Sequence, residues 1–128
     1  MTAAAQHRVV DAMNVIGSRP DGWWRDRAGA VERLVAELEE WAERTGERVT
    51  VVLEKQPPRP LEAGRVAVEW ARAPGRDAAD HEIVRRLPDW LGEGEEVVVV
   101  TSDRELVRRV REAGAAVESA SGFRRELG

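Results

Sequence analysis

Residues 96–114 read EVVVVTSDRELVRRVREAG. Four consecutive valines make the centre of a strand over 96–101. The chain then turns at Thr101-Ser102-Asp103, and Leu106, Val107 and Val110 recur at helical spacing, so a helix runs over 103–113. Gly114 is its stop signal. A strand that feeds a helix through a short polar turn is half of a βαβ unit, so the fold depends on whether the pattern repeats on either side.

It does. Downstream, 115–117 reads as a short last strand, and the tail SASGFRRELG holds about one helical turn with Phe123 and Leu127 tucked in. Upstream, a helix over 77–87 buries Ala79, Ile83, Val84 and Leu87, and the segment 88–94, opening with Pro88, breaks it. Residues 66–70 alternate weakly as a third strand. The proline-rich stretch EKQPPRPLEAG before them forbids regular pairing and is a loop. Val49-Thr50-Val51-Val52-Leu53 is a strong second strand. A long helix over 24–44 carries Ala28, Val31, Leu34, Val35, Leu38, Trp41 and Ala42 on one face, with Gly46 as its stop. Residues 18–22 form a loop, and Val9-Val10 opens the first short buried strand. Strands alternating with helices predict an α/β fold: one doubly wound, mainly parallel sheet with helices on both faces. Residues 1–128 form a single domain in this reading, with 1–7 as a flexible tail containing His7.

Composition narrows the chemistry. The chain has no cysteine, which excludes disulfides and thiolate metal sites. Its two histidines, His7 and His81, stand apart in sequence, so a zinc site is not expected and hard oxygen ligands for magnesium or manganese remain. The start MTAAAQHR lacks the apolar run of a signal peptide, and VVVV is too short to span a bilayer. A cytoplasmic location without membrane partners is the resulting expectation. Net charge is −4, which does not advertise a nucleic-acid binder. Arginine is abundant while Lys55 is the only lysine, a balance that coding bias in a GC-rich genome explains as readily as an RNA-binding surface does.

Acids end the strands. Asp11 follows strand one, Glu54 follows strand two, and Asp103 follows strand four after Thr101 and Ser102. In a parallel sheet the carboxyl ends of all strands lie at one edge, where ligands bind at the switch in strand order. Asp77 and Asp80 share a face near a helix start and could join the same edge. Crowded carboxylates repel unless a cation rewards them, and a divalent metal at such a cluster can clamp a phosphate and activate a water. Asn14 and Ser102 could orient waters or hydrogen-bond the phosphate. Each acid also has a plainer reading. Asp103 could be only an N-cap, and Asp77 and Asp80 could only favour a helix N-terminus. Asp11 is explained poorly by capping, because AMNVIG is not an obvious helix start.

The segments VDAMNVIGSRPDGWWRDR, VTVVLE, GRDAADHEIVRRL and VVVVTSDREL, in this order, resemble the NYN branch of the PIN-like nucleases, specifically the bacterial YacP-like group. The likeness covers nearly the whole chain. It implies a PIN-like doubly wound sheet and metal-dependent cleavage of RNA, endonucleolytic on single strands. Asp11, Asp80 and Asp103 match the family's main acidic positions and are implied as catalytic metal ligands for Mg2+ or Mn2+. Glu54 stands where aspartate is common, and Asp77 where the pattern tolerates other residues, so both are auxiliary ligands in this reading. Ala12 and Met13 depart from the usual glycine and aromatic. Asn14 matches the amide of the first motif and Ser102 the hydroxyl beside the last acid, both toward substrate. Trp23 could stack on bases, and Arg25 and Arg27 could take phosphates, although at least one of Trp23 and Trp24 should pack structurally. RNA is the implied partner, and ribosome association and oligomeric state stay open. The rival readings are a non-catalytic RNA-binding module of the same fold and a phosphatase-like metal enzyme. For the latter, the chain lacks the usual aspartyl nucleophile motif.

Overall fold

The first strand, β1, spans Gln6–Asp11, and the computed structural model describes residues 6–128. It is followed by α1 (Ala12–Gly17), a 3-10 turn (Trp23–Arg25), α2 (Arg27–Thr45), β2 (Arg48–Leu53), β3 (Val66–Trp70) and α3 (Ala78–Leu91). The chain closes with β4 (Glu96–Val100), α4 (Arg104–Ala113), β5 (Ala116–Glu118) and α5 (Ala120–Leu127). The five strands form one wholly parallel sheet in the order β3-β2-β1-β4-β5. The chain winds outward from β1 through β2 to β3, then returns to β4 on the other side of β1. The switch in winding direction therefore lies between β1 and β4.

Strand residues alternate between two cores, as a pleat requires. Val10, Val49, Val51, Leu53 and Val100 face α1, α2 and α5. Val9, Val52, Val97 and Val99 face α3 and α4. Helix α2 presents Leu34, Val35, Leu38, Trp41 and Ala42 to the first core, the stripe expected from its spacing. Asp26 caps it by accepting a hydrogen bond from the Gly29 amide at 3.0 Å, so the helix starts at Arg27 rather than at residue 24. Gly46 ends it at φ 75°, a conformation that costs glycine little.

Four local expectations need correction. Gln6 and His7 are strand, not tail: His7 pairs with Arg48 and Val97 in register and is fully buried. Residues 1–5 of the expected tail lie outside the described residues. AMNVIG does form a helix, one and a half turns long, because Val15 and Ile16 are buried against the first core. Pro88 does not break α3. The helix carries it internally and continues to Leu91, which places Trp90 in the second core, edge-on to His7 at 5.6 Å. Burial of that indole offsets the missing amide hydrogen bond, a loss of about 3 kcal/mol in an ordinary helix interior. The C-terminal tail is a full helix, α5, and not a single turn. Ser119 caps it, and Phe123 is fully buried against Trp41 at 5.1 Å.

Candidate active site

At the carboxyl edge of the sheet, beside the switch between β1 and β4, lies an open cleft of about 240 Å³. Its lining includes five carboxylates, Asp11, Glu54, Asp77, Asp80 and Asp103, and no arginine or lysine. Different elements deliver them. Asp11 is the last residue of β1, and Glu54 directly follows β2. Asp103 precedes α4, while Asp77 precedes α3 and Asp80 lies in that helix's first turn. The parallel register brings acids as distant in sequence as Asp11 and Asp103 to one edge.

Asp11 sits deepest, at 4% exposure. Although it occupies the N-cap position of α1, its side chain makes no close capping hydrogen bond, and the Asn14 backbone amide approaches it only weakly. Its Oδ2 accepts a hydrogen bond from Thr101 Oγ1 at 3.0 Å. Burial, then the neighbouring Asp80 charge, push its pKa up to about 7 against the opposing Thr101 hydrogen bond. Asp80 is raised to about 6, chiefly by burial and then by Asp103 and Asp77. Like charges are thus gathered in a partly dry cleft with no basic side chain in its lining, and their repulsion is relieved either by a proton or by a cation.

Asp103 plays the plainer role as well: its Oδ1 caps α4 by accepting from the Leu106 amide at 2.9 Å. Its own amide donates to Thr101 Oγ1 at 3.2 Å. Thr101 is thus the hub between Asp11 and Asp103, buried at 1% exposure. Sequence reasoning gave Thr101 no role. The signal was its place beside Ser102-Asp103, read there only as part of a motif. Asp77 caps nothing and holds a left-handed backbone at φ 59°, the only non-glycine residue with positive φ among the described residues.

The remaining candidates divide. Asn14 lines the cleft, and its Oδ1 accepts from the Ser102 amide at 2.7 Å, tying α1 to the β4–α4 turn. Ser102 Oγ accepts from the Ala120 amide at 2.9 Å, which anchors α5, and Ser102 is not among the cleft's lining residues. Glu54 stands at the rim, 3.4 Å from Arg27 Nη1. Trp23 packs half-buried on the first core, away from the cleft, with the Arg27 guanidinium 5.2 Å from its ring. Trp24 is 52% exposed, beside Arg25 at 5.9 Å. One tryptophan is therefore structural and its neighbour is free.

The cleft's donors are all oxygen, the set that suits magnesium or manganese. No three of its acids bring ligand atoms within 4.8 Å of one another; among the described residues only His7, Glu93 and Glu95 do. That second group lies at the opposite, amino edge of the sheet. Burial and the nearby Arg48 charge lower His7 to about 4, so its ring is neutral, and its Nδ1 is buried without a partner. Arg48 Nη1 donates to both Glu93 and Glu95, the latter at 2.7 Å, so a guanidinium already bridges the two acids. A metal there would have to displace it. In the Asp11 cleft no guanidinium bridges the acids, and magnesium is commonly held by one or two carboxylates with water and phosphate completing its shell.

The family model described as "YacP-like NYN domain" matches residues 8–128. No curated protein matches the chain in sequence. Among solved structures, a point mutant of Rae1 (YacP) from Bacillus subtilis superposes with a TM-score of 0.79 at 26% identity, covering 95% of this chain and 74% of that one. Rae1 (YacP) without the substitution gives a TM-score of 0.76 at 24% identity over 94% of this chain and 72% of its own, a likeness of fold. Sequence model and three-dimensional match agree over nearly the whole length: the chain belongs to the YacP-like NYN domain family, a family of nucleases.

Proposed function

We propose that this protein is a divalent-metal-dependent ribonuclease that cuts single-stranded RNA internally. The observation that carries the proposal is the cleft at the β1/β4 switch, lined by five carboxylates and no cation, with Asp11 nearly buried. Asp11, Asp80 and Asp103 hold Mg2+ or Mn2+ there; Asp77 and Glu54 stand at the margin. A cation held by these acids would supply Lewis-acid stabilisation of charge on the phosphate and would lower the pKa of a water beside it. The protein's own work is positioning. Thr101 orients Asp11 through its hydroxyl and braces the turn that carries Asp103. Asn14 locks that turn to α1. Arg25, Arg27 and the exposed Trp24 lie within the 3-10 turn and the start of α2, where they meet phosphates and bases of an unpaired strand.

The test is cleavage of end-labelled, unstructured RNA in magnesium, in manganese and in chelator, with Asp80→Asn and Asp103→Asn run beside the parent. Internal products should appear only with metal. Either variant should lose roughly a hundredfold in rate, the scale at which removing one preorganised electrostatic group acts. Parent activity that survives chelator would sink the metal reading. RNA binding without cleavage under every metal would replace the nuclease with an RNA-binding module on the same fold.

A further inference from the structure

Parallel neighbours in this fold are joined by helices except once. Between β2 and β3 the chain runs irregularly through residues 54–65, EKQPPRPLEAGR. Pro57, Pro58 and Pro60 deny it helical hydrogen bonds, and Leu61 is the one side chain of this connection that packs on the first core. Where a helix would have filled the space, a cavity of about 290 Å³ remains between this segment and α2. Its walls are Met13, Ala28, Val31, Leu53 and Leu61, and its lining is mainly apolar.

Two features say what the cavity is for. It adjoins the carboxylate cleft, because Met13 and Glu54 line both. Its charged lining is mixed where the cleft is acidic: Arg27 pairs with Glu54 and Arg59 with Glu32, which leaves Lys55 as the unpaired cation beside the Gln56 amide. Lys55, the only lysine in the chain, makes no ion pair among the described residues. Arg27 makes one, to Glu54, on the ridge between the two hollows. A slot with apolar walls and polar side chains along its rim is the general form of a small-ligand site. A nucleobase has two apolar faces and a polar edge, and it is tethered to an anionic backbone.

We propose that this cavity is a nucleobase subsite. It takes one unstacked base of the RNA strand whose neighbouring phosphate lies in the carboxylate cleft, with the base faces against Val31, Leu61 and Met13. Lys55 and Arg27 hold the phosphates on either side, and Gln56 meets the base edge. The proposal rests on RNA as the ligand of the cleft. It makes the proline-rich connection the element that sets which nucleotide is cut.

The test uses the full chain with 13C-labelled methyl groups in calcium buffer. The probes are a short unstructured RNA and the same RNA with one base replaced by an abasic sugar at each position in turn. Intact RNA should shift the methyl signals of Met13, Val31 and Leu61. One abasic position should abolish those shifts and weaken binding by about tenfold, the order expected for one base contact. Ala28→Trp fills the cavity from the half-buried face of α2. It should give the same tenfold loss with intact RNA, no loss with that abasic RNA, and a changed cleavage position. Methyl shifts that are absent, or equal for intact and abasic RNA, overturn the subsite. If the parent cleaves RNA and Ala28→Trp cuts the same bond at the same rate, the subsite fails while the nuclease stands. If no RNA is cleaved yet the shifts remain base-dependent, the subsite stands and the nuclease reading falls. Shifts produced by an aliphatic peptide and not by RNA would assign the cavity to a protein partner and overturn the proposal.

Discussion

Asp11 shows how one residue can be costly to the fold and still be present. Its carboxyl is buried beside Asp80, and its pKa is pushed up to about 7. Between about pH 4 and pH 7, then, the unfolded chain has lost a proton that the folded chain still holds. Stability is the larger at the acid end of that window and falls as pH rises through it. Urea unfolding in chelator at pH 5 and pH 7.5 should show this loss for the parent and a smaller one for Asp11→Asn. An equal loss in both would mean that Asp11 is not the titrating group. Asp103 allows a second test, because capping and metal binding can be separated there. Asparagine caps nearly as well as aspartate, so Asp103→Asn keeps the hydrogen bond from Leu106 and removes one negative charge. The metal-free variant should melt at the parent's temperature or above it. The parent should gain melting temperature on adding manganese, since a ligand of the folded state alone stabilises it, and the variant should lose most of that gain. A metal-free variant that melts several degrees lower, beside a parent indifferent to manganese, would make Asp103 a structural residue.

At the scale of elements, the misjudged segments share one cause. Helix α1, the last turn of α3 and all of α5 are held by burial of a few large side chains rather than by their own propensity. Val15 and Ile16, Trp90, and Phe123 are respectively those anchors. Isolated helices this short are marginal in water, so their sequences carry weak signals. Phe123 is the clearest case: it is fully buried, edge-on to Trp41, while Ser102 Oγ fixes the amide of Ala120. Phe123→Ala should cost about 3–5 kcal/mol, the usual range for emptying an aromatic core position. Because α5 hangs on the same turn as Asp103, amide hydrogen exchange should also show the β4–α4 turn opening in that variant. A loss below 1 kcal/mol by denaturant titration would show that α5 is merely appended to the domain.

At the scale of the whole molecule, charge is arranged rather than simply summed. Net charge is −4, yet acids are gathered in the cleft while Arg27 and Lys55 line the cavity beside it. Other arginines are already engaged. Arg108 pairs with Glu105 and Glu112 along α4. RNA affinity should therefore fall with salt along a shallow slope, roughly 0.7 log units per tenfold change in salt for each phosphate contacted on a single strand. Arg27→Ala should reduce that slope by about one such contact. Affinity that stays flat across the titration would argue against RNA. Among the described residues no helix is long and apolar enough to cross a membrane. The sequence by itself determined the alternation of strands and helices, the parallel sheet and the placing of Asp11, Glu54 and Asp103 at its carboxyl edge. These follow from periodicity and from the directionality of a parallel sheet, and both are written locally. Only the tertiary structure decided which hydroxyl orients Asp11, that Ser102 serves α5, that Glu54 turns to Arg27, and that His7 is buried strand. It also left a cavity beneath the proline-rich connection. Those outcomes depend on residues far apart in sequence competing for the same partners and the same space, and no local pattern in the chain records who wins.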